Sequence, residues 1–507
     1  MRKFFKLLTS RFLFICILLL LEIAIIMGAI YLLTAYFISA LYLYAIAIAV
    51  SIALTLHIIN SDMNAEYKIA WIVPILLIPL FGASLFLIFR TKNPRRKLKK
   101  HLSNFLSMDC LYKALPDVDE RFANTSDFAA VCAEFVHKES FLPPSDCYEY
   151  EYFPLGELYG AKLEEELKKA QRYIFMEYFV FAEGNFWNRL HTILKEKVKE
   201  GVDVRIIYDD IGSMKGVPSK FAAALEKEGI KCLCFNRFRP VLDVAQNNRT
   251  HRKITVIDGI TAFTGGINIA DEYTNEISIH GHWKDTGIML RGRAAQNFAA
   301  MFLQLWAIHS PEENYTEYVT DCPAGEYLCL PFSDMPFGGN KNICEDLYLR
   351  IIYNAKKYVY INTPYLIIDG EMRRALVTAA KSGVDVRITV PNIPDKKYVF
   401  AVTKAFYNQL LKEGIKIYRY TPGFIHAKSI VSDGKYCLIG SSNMDFRSFY
   451  LHCECDVMFF NEQIAEELEK DYLSVCEQSE LVTEKKSKIG VFRRIYRSLL
   501  RIFAPLM

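Results

Sequence analysis

The sequence predicts an α/β protein in which two tandem α/β domains of similar structure form a pseudo-dimer, preceded by transmembrane helices. Four segments after residue 150 recur in the same order further along the chain. Each copy alternates short strands with helices, a pattern typical of sheets that are covered by helices. Before residue 90 the chain has three long apolar runs, each long enough to cross a bilayer.

The internal repeat is the strongest of these observations. The matched pairs are Ala170–Tyr178 with Ala355–Thr363, Gly201–Ile206 with Gly383–Ile388, Glu228–Lys231 with Glu413–Lys416, and His251–Asp258 with His426–Asp433. Four matches in register do not arise by chance, and the copies are too long for a solenoid. We therefore expect two similar domains, at residues 151–320 and 321–480, with active-site residues from both.

Each copy has the elements that such a domain needs. Short β-branched runs predict strands at Val204–Tyr208 and Val386–Val390. Helices are predicted before these strands, at Leu190–Glu200 and Met372–Lys381, with Gly201 and Gly383 placed to end them.

The apolar runs predict a membrane anchor over residues 1–90 with two or three transmembrane helices. They cover Phe12–Leu33, Tyr36–Ile59 and Ile69–Phe89. Basic residues flank the anchor on both sides, namely Arg2, Lys3, Lys6 and Arg11 before it and a cluster from Arg90 to Lys100 after it. The positive-inside rule then predicts a multi-pass protein of the cell membrane with cytoplasmic catalytic domains. Two cytoplasmic ends require an even number of crossings, so either one run is re-entrant or the rule fails here. Residues 91–150 are interpreted as a linker.

The amino-acid composition argues against several other classes of protein. The 507 residues are 52% hydrophobic and 23% charged, and the mean hydropathy is +0.10. This is more apolar than an ordinary soluble enzyme and far less apolar than a polytopic carrier. The formal net charge of +4 gives no bias towards nucleic acid, and no stretch interleaves aromatic residues with a basic groove. The 13 scattered cysteines are expected to be reduced thiols.

One motif with chemical meaning occurs once in each copy. The first copy has His251, Lys253, Asp258 and Asn268, and the second has His426, Lys428, Asp433 and Asn443 at the same spacings. The residues after each lysine favour a strand, where positions two apart face the same side. Histidine and lysine are therefore predicted to point together into one site. Gly265 and Gly266, and Gly440 in the second copy, are expected to let a substrate group approach the backbone.

These residue types predict a phosphate site. Lysine supplies a full positive charge and asparagine a neutral donor. One imidazole can attack phosphorus while the other acts as general acid and base. Because the ammonium groups stabilise charge on the phosphate oxygens, no metal or cofactor is expected. Asp258 and Asp433 are counted with the catalytic motif, but we expect them to hold the motif loops together rather than to touch substrate.

The doubled pattern resembles the HKD motif of the phospholipase D superfamily, over residues 150–460. The resemblance implies two phospholipase D-like domains, with His251 as nucleophile and His426 as general acid and base. It also implies an acidic residue beyond each motif that orients an imidazole. Glu454 lies at the expected distance after His426, and Asp285 is similar to its counterpart after His251.

The membrane segment Asn64–Phe89 and the motif versions Gly265–Tyr273 and Gly440–Ser448 are similar to those of bacterial cardiolipin synthases. This resemblance implies phosphatidyl transfer between two phosphatidylglycerol molecules, giving cardiolipin and glycerol through a phosphohistidine. Anionic membrane lipids are the implied partners, and nucleic acid is not.

Two departures are Gly287, where relatives often carry His, and His452, where Asn is common. The alternatives are another phosphatidyl transfer, such as phosphatidylserine synthesis, and simple phospholipase D hydrolysis. A catalytically inactive scaffold is disfavoured because both motifs keep their His, Lys and Asn.

The C-terminal segment, residues 481–507, predicts a basic amphipathic helix. Its basic residues are Lys485, Lys486, Lys488, Arg493, Arg494, Arg497 and Arg501, and at helical spacing they separate from apolar residues such as Phe492 and Leu499. Such a helix lies on anionic lipid. A helix docked on the protein core is the alternative.

Overall fold

The computed structural model describes residues 11–89, 108–238, 244–310, 313–336, 342–484, 490–502 and 504–506. The chain forms two units. One comprises residues 1–94, 238–246 and 502–507, and the other comprises residues 95–237 and 247–501.

The helices are α1 (Arg11–Ile59), α2 (Ala65–Leu77), α3 (Pro79–Phe89), α4 (Asp109–Ala114), α5 (Asp119–Ala123), α6 (Asp127–Ser140), α7 (Gly156–Leu167), α8 (Asn185–Lys199), α9 (Asp210–Ser213), α10 (Phe221–Lys227), α11 (Ala294–Trp306), α12 (Ile343–Asn354), α13 (Gly370–Lys381), α14 (Lys397–Leu411), α15 (Phe446–Tyr450), α16 (Glu462–Glu477) and α17 (Val491–Ile502). Short 3₁₀ turns cover Val244–Asn247, Tyr315–Tyr318 and Ala504–Leu506. The strands are β1 (Ser145–Cys147), β2 (Glu149–Phe153), β3 (Tyr173–Tyr178), β4 (Asp203–Asp209), β5 (Lys231–Phe235), β6 (Arg249–Thr250), β7 (Lys253–Ile257), β8 (Thr261–Gly265), β9 (His282–Lys284), β10 (Gly287–Arg291), β11 (Tyr327–Asp334), β12 (Tyr358–Asn362), β13 (Leu366–Ile367), β14 (Asp385–Pro391), β15 (Lys416–Tyr420), β16 (Gly423–Ile425), β17 (Ser429–Ser432), β18 (Tyr436–Gly440), β19 (Met444–Asp445), β20 (His452–Phe459) and β21 (Ser479–Leu481).

The first two apolar runs form one uninterrupted helix, α1, instead of two separate helices. Residues 34–35, between the runs, contain neither Pro nor Gly, so nothing breaks the helical hydrogen bonds there. The 49 residues of α1 are more than twice the number, about 20, that cross a bilayer core. Within the described residues, Leu41–Ile59 is the segment that is long and apolar enough to span a membrane.

The third apolar run turns back on itself. Helix α2 ends at Leu77. The next residue, Ile78, precedes Pro79, and a residue before proline disfavours the helical backbone conformation. At Gly82 a Cβ would lie 2.3 Å from the carbonyl oxygen of Pro74, so α3 packs directly against α2. The two helices have 13 and 11 residues, which is too short for a span. The number of crossings stays a prediction, and the basic flanks at residues 2–6 and 90–100 lie outside the described residues.

The internal repeat gives two sheets with the same strand order. The first sheet runs β2-β10-β8-β7-β3-β4-β5 and the second β11-β20-β18-β17-β12-β14-β15, with β1 and β21 added at its edges. Strands β3, β4 and β5 of the first sheet are parallel, as are β12, β14 and β15 of the second. The first three strands in each order pair antiparallel. The predicted α/β repeat is confirmed.

The predicted elements lie where the sequence placed them. The predicted strands fall within β4 and β14, and the predicted helices overlap α8 and α13. Gly201 and Gly383, which follow these helices, have φ angles of 90° and 91°, a left-handed conformation that favours glycine.

The segment interpreted as a linker contains structure from residue 108 onwards. It holds α4, α5, α6, β1 and the first residues of β2, and β1 pairs antiparallel with β11. Strand β1 therefore belongs to the second sheet although it precedes the first sheet in sequence. Helix α11 is buried along its whole length and contacts strands of both sheets, among them β7 and β11. The two halves thus share a hydrophobic core between their sheets.

Candidate active site

Each motif histidine is held in place by the backbone of the opposite half. Strand β6, just before His251, pairs with the start of β20, and β16, just before His426, pairs with β9. The amide of His251 donates to the carbonyl of Cys453 at 2.8 Å, and the amide of His426 donates to that of Lys284 at 2.7 Å. Each histidine therefore lies beside the residue that precedes an acid of the other half.

Each orienting acid contacts the histidine of the opposite half. Nδ1 of His251 lies 3.0 Å from both carboxylate oxygens of Glu454. Nδ1 of His426 lies 2.6 Å from Oδ2 of Asp285. Because a carboxylate only accepts hydrogen bonds, each Nδ1–H donates and each Nε2 keeps its lone pair. Both acids were selected from their positions after the motifs, but the sequence did not reveal that each one contacts the histidine of the other copy.

The lysines and asparagines of the two motifs are buried beside the imidazoles. Lys253 and Lys428 are fully buried, and each ammonium donates to the carbonyl of the histidine two residues before it. Asn268 and Asn443 are also buried. Oδ1 of Asn268 accepts from the Val180 amide at 3.1 Å, whereas Oδ1 of Asn443 has no partner in the described part of the chain.

Burial and the two ammonium groups keep both imidazoles neutral. Burial lowers the pKa of His251 well below its usual value, and the charges of Lys253, Lys428 and His426 lower it further. Burial and the charge of Lys428 lower the pKa of His426 to about 4, although Asp285 opposes this shift. The His251 pKa responds to charges from both halves, so the two motifs form one electrostatic site.

The two acids differ in their tendency to be ionised. Burial raises the pKa of Glu454 to about 7, against the opposing effect of Lys253. Burial acts in the same direction on Asp285, but the charges of His426 and Lys428 prevail and lower its pKa below the usual value. The ionised Asp285 opposes the lowering of the His426 pKa, so His426 takes up a proton more readily than His251 does. His426 therefore suits a general acid and His251 a neutral nucleophile.

The buried lysines are expected to make stability rise with pH. Burial lowers the pKa of Lys253 to about 8 and that of Lys428 to about 7, from an ordinary 10.5. Between these values the unfolded chain binds more protons than the folded chain, so the free energy of unfolding increases with pH from about 7 to about 10. Lys428→Met should make this rise less steep, because only Lys253 then contributes to it. Denaturant unfolding of both proteins in the same detergent measures the two slopes, and equal slopes would contradict the expectation.

Asp258 and Asp433 hold loops rather than line the site. The carboxylate of Asp258 accepts from the amides of residues 171–173 at 2.7 to 2.9 Å. That of Asp433 accepts from the amides of residues 356–358 at 2.7 to 2.9 Å. Both aspartates have a φ angle of 56°, a left-handed turn conformation that aspartate tolerates better than most residues.

Asp258→Ala is expected to destabilise the fold without changing the chemistry. It removes three hydrogen bonds to a charged acceptor and places alanine at positive φ, which should cost roughly 2–3 kcal/mol of unfolding free energy. The activity of the protein that remains folded should stay within about twofold of the wild type. Thermal unfolding and activity at low temperature separate the two effects, and a large loss of activity in folded protein would assign Asp258 to the chemistry.

Gly266 and Gly440 make room for acids instead of substrate. A Cβ at Gly266 would lie 2.0 Å from Oδ1 of Asp285, and one at Gly440 would lie 2.0 Å from Oδ1 of Asp456. The space that was predicted to admit a substrate group at Gly266 is thus filled by the carboxylate that orients His426.

Aromatic rings that the motif pattern does not indicate surround the two imidazoles. The ring of Phe179 lies 5.1 Å from that of His251, measured between centroids. Tyr273, Trp283 and Phe424 surround His426 at 5.4, 5.3 and 5.9 Å. One sequence signal was available, since Trp283 precedes Asp285 by two residues, as His452 precedes Glu454.

Two HKD motifs on one α/β pseudo-dimer define a protein of the phospholipase D class. The family profile described as "Cardiolipin synthase, PLD-like domain" matches residues 163–306 and 348–475. A second profile, "Phospholipase_D-nuclease N-terminal", matches residues 49–90. Together with the apolar segment Leu41–Ile59, it supports association with a membrane.

Relatives match along most of the chain. "Cardiolipin synthase 2" of Bacillus anthracis is 32% identical over 88% of each chain. A cardiolipin synthase of Clostridium perfringens is 32% identical over 88% of this chain and 95% of its own. An uncharacterised protein of Streptococcus mutans is 37% identical over 89% of this chain and 99% of its own. The chain belongs to the cardiolipin synthase family of phospholipase D-like proteins.

A solved structure shows the same fold. The crystal structure of phosphatidylserine synthase from Haemophilus influenzae Rd KW20 superposes with a TM-score of 0.57 at 13% sequence identity. The match covers 74% of this chain and 98% of that one.

Proposed function

We propose that this chain is a membrane-bound cardiolipin synthase. It transfers a phosphatidyl group from one phosphatidylglycerol to the free glycerol hydroxyl of another, and glycerol is released. The observation that carries the proposal is the pairing of His251 with Glu454 and of His426 with Asp285 across the two halves. This arrangement supplies two differently tuned imidazoles to one phosphorus atom.

In the first half-reaction, Nε2 of His251 attacks the phosphorus of a phosphatidylglycerol. The bond from phosphorus to the glycerol oxygen breaks, and that oxygen takes the Nε2 proton of His426. The negative phosphodiester together with Asp285 favours the protonated form of His426 before this step. The ammonium groups of Lys253 and Lys428 stabilise the charge on the phosphate oxygens. A phosphatidyl group remains on His251.

In the second half-reaction, His426 acts as a base. Its Nε2 takes the proton from the glycerol hydroxyl of the second phosphatidylglycerol, and the hydroxyl oxygen attacks the phosphorus. The bond between phosphorus and Nε2 of His251 breaks, which restores the free imidazole and releases cardiolipin. His251 and His426 are each only 6% exposed, and this burial favours a lipid alcohol over water as the acceptor.

The C-terminal helix supports a site at the membrane surface. In α17 the exposed side chains include Phe492, Ile495, Tyr496 and Leu499. The guanidinium of Arg501 lies 4.6 Å from the ring centroid of Phe406 in α14, so a basic residue faces the protein. Lys485, Lys486 and Lys488 lie outside the described residues. We propose that the apolar side of α17 contacts the bilayer, with a multi-pass anchor and cytoplasmic catalytic domains.

Leu499→Ser combined with Phe492→Ser is expected to weaken the contact between the catalytic domains and the membrane. Removing two exposed apolar side chains from the lipid interface should lower activity on anionic vesicles severalfold. Activity on lipid dissolved in detergent micelles should change little. Comparing the two assays tests the proposal, and an equal loss in both would indicate that α17 stabilises the fold instead.

Analysis of lipid products tests the proposed function. Purified protein is incubated with vesicles of phosphatidylglycerol, and lipids and water-soluble products are separated. Cardiolipin and glycerol in equal amounts are expected. Phosphatidic acid with glycerol would identify a hydrolytic phospholipase D. Phosphatidylserine formed only when serine is supplied would identify another phosphatidyltransferase.

A further inference from the structure

A third imidazole lies beside the proposed nucleophile, and no step of the transfer uses it. His452 begins β20, is 9% exposed, and has its ring centroid 5.5 Å from that of His251. Neither of its ring nitrogens has a hydrogen-bond partner within the described residues. An imidazole that is buried without partners costs stability, so its presence at this place indicates a ligand.

His452 completes a set of metal-binding side chains. His251, His452 and Glu454 each offer one ligand atom, and these atoms lie within 4.8 Å of one another. From Oε1 of Glu454, Nδ1 of His251 is 3.0 Å away and Nδ1 of His452 is 3.8 Å away. Bonds of about 2.1 Å to a tetrahedral zinc ion place ligand atoms roughly 3.4 Å apart. Two imidazoles, one carboxylate and a water are a common zinc ligand set.

We propose that these three side chains bind a divalent transition-metal ion of the zinc type and that the bound ion inhibits transfer. The inhibition rests on the proposed role of His251 as nucleophile. A neutral imidazole carries one ring proton, so when Nδ1 of His251 gives its lone pair to the ion, that proton moves to Nε2. The protonated Nε2 has no lone pair with which to attack phosphorus. The ion therefore inhibits without contacting the phosphate, and no proton is gained or lost.

Nearby charges set the expected affinity. The Glu454 carboxylate offsets part of the ion's charge, whereas Lys253, Arg249 and Arg447 act on His452 with positive charge. We expect micromolar binding, weaker than at a structural zinc site. Zn²⁺ should bind better than Mg²⁺, because imidazole ligands favour zinc and oxygen ligands favour magnesium.

Zinc titration of the full-length protein in phosphatidylglycerol micelles tests the inhibition. Zn²⁺ should lower transfer at least tenfold, EDTA should restore it, and Mg²⁺ should have no such effect. His452→Asn should transfer normally without zinc and require at least tenfold more zinc for half-inhibition. The matched control is His137→Asn, at an exposed cluster with Asp117 and Asp119, which should be inhibited like the wild type.

Isothermal titration with Zn²⁺ in the absence of lipid tests the site independently of the reaction. The wild type should bind one ion per chain that His452→Asn does not bind. The proposal is overturned if both proteins bind zinc alike, or if both are inhibited at the same zinc concentration. If zinc binding depends on His452 but the wild type shows no phosphatidyl transfer, the proposed function is wrong and the metal site is supported.

Discussion

Replacing His251 by alanine is expected to lower phosphatidyl transfer by at least ~10³-fold, because the proposed nucleophile is lost. His426→Ala should lower transfer from phosphatidylglycerol by about 10²–10⁴-fold, through loss of the proposed general acid and base. The double variant should be little worse than His251→Ala, since the two side chains act as a unit. Transfer rates at saturating lipid measure these effects.

The matched control is His191→Ala, which changes a histidine on α8 that contacts Glu228 and lies outside the site. It should keep wild-type activity. Thermal unfolding of all variants checks that each remains folded. Full activity in a folded His251→Ala or His426→Ala protein would contradict the two-imidazole mechanism.

The second large expected effect is a difference between Glu454 and Asp285 that depends on whether the leaving group needs a proton. Glu454→Gln should lower transfer by about 10³–10⁴-fold with any phosphatidyl donor, because the amide leaves His251 in the wrong tautomer. Asp285→Asn should lower transfer from phosphatidylglycerol by about 10²–10⁴-fold. With a phosphatidyl ester of p-nitrophenol, which departs without a proton, Asp285→Asn should retain the first turnover almost fully. Rapid mixing measures this first release of p-nitrophenolate.

This comparison tests the exchange of acids between the halves. Each acid follows one motif in sequence but contacts the histidine of the other motif. If Asp285→Asn lost the first turnover and Glu454→Gln kept it, the roles of the two histidines would be reversed. If both variants lost it equally, the acids would not act through separate histidines.

Repetition made much of the fold predictable. His251 and His426 with their lysines and asparagines stand at equal spacings, and equal spacing on equal strands gives equal positions in two sheets. A glycine such as Gly201 also marks the end of a helix, because the left-handed backbone conformation at that position favours glycine. These are local or periodic signals, which one sequence contains in full.

Pairings across the two halves could not be predicted in the same way. Nothing near Glu454 in sequence indicates that its partner is His251 rather than His426, because the choice depends on how β6 and β20 meet. The placement of β1 in the second sheet also depends on a pairing between segments that are distant in sequence, β1 and β11. In the anchor, the apolar pattern is equally compatible with one long helix and with two short ones, and it could not reveal the turn at Pro79.

Trapping the covalent intermediate tests the central claim most directly. The folded His426→Ala protein is mixed with the phosphatidyl ester of p-nitrophenol, quenched in base and digested, and the peptides are analysed by mass spectrometry. Because this variant lacks the proposed base for the second half-reaction, one phosphatidyl group per chain is expected on the peptide that contains His251. A phosphatidyl group on any other residue, or p-nitrophenolate release with no modified peptide, would contradict attack by His251.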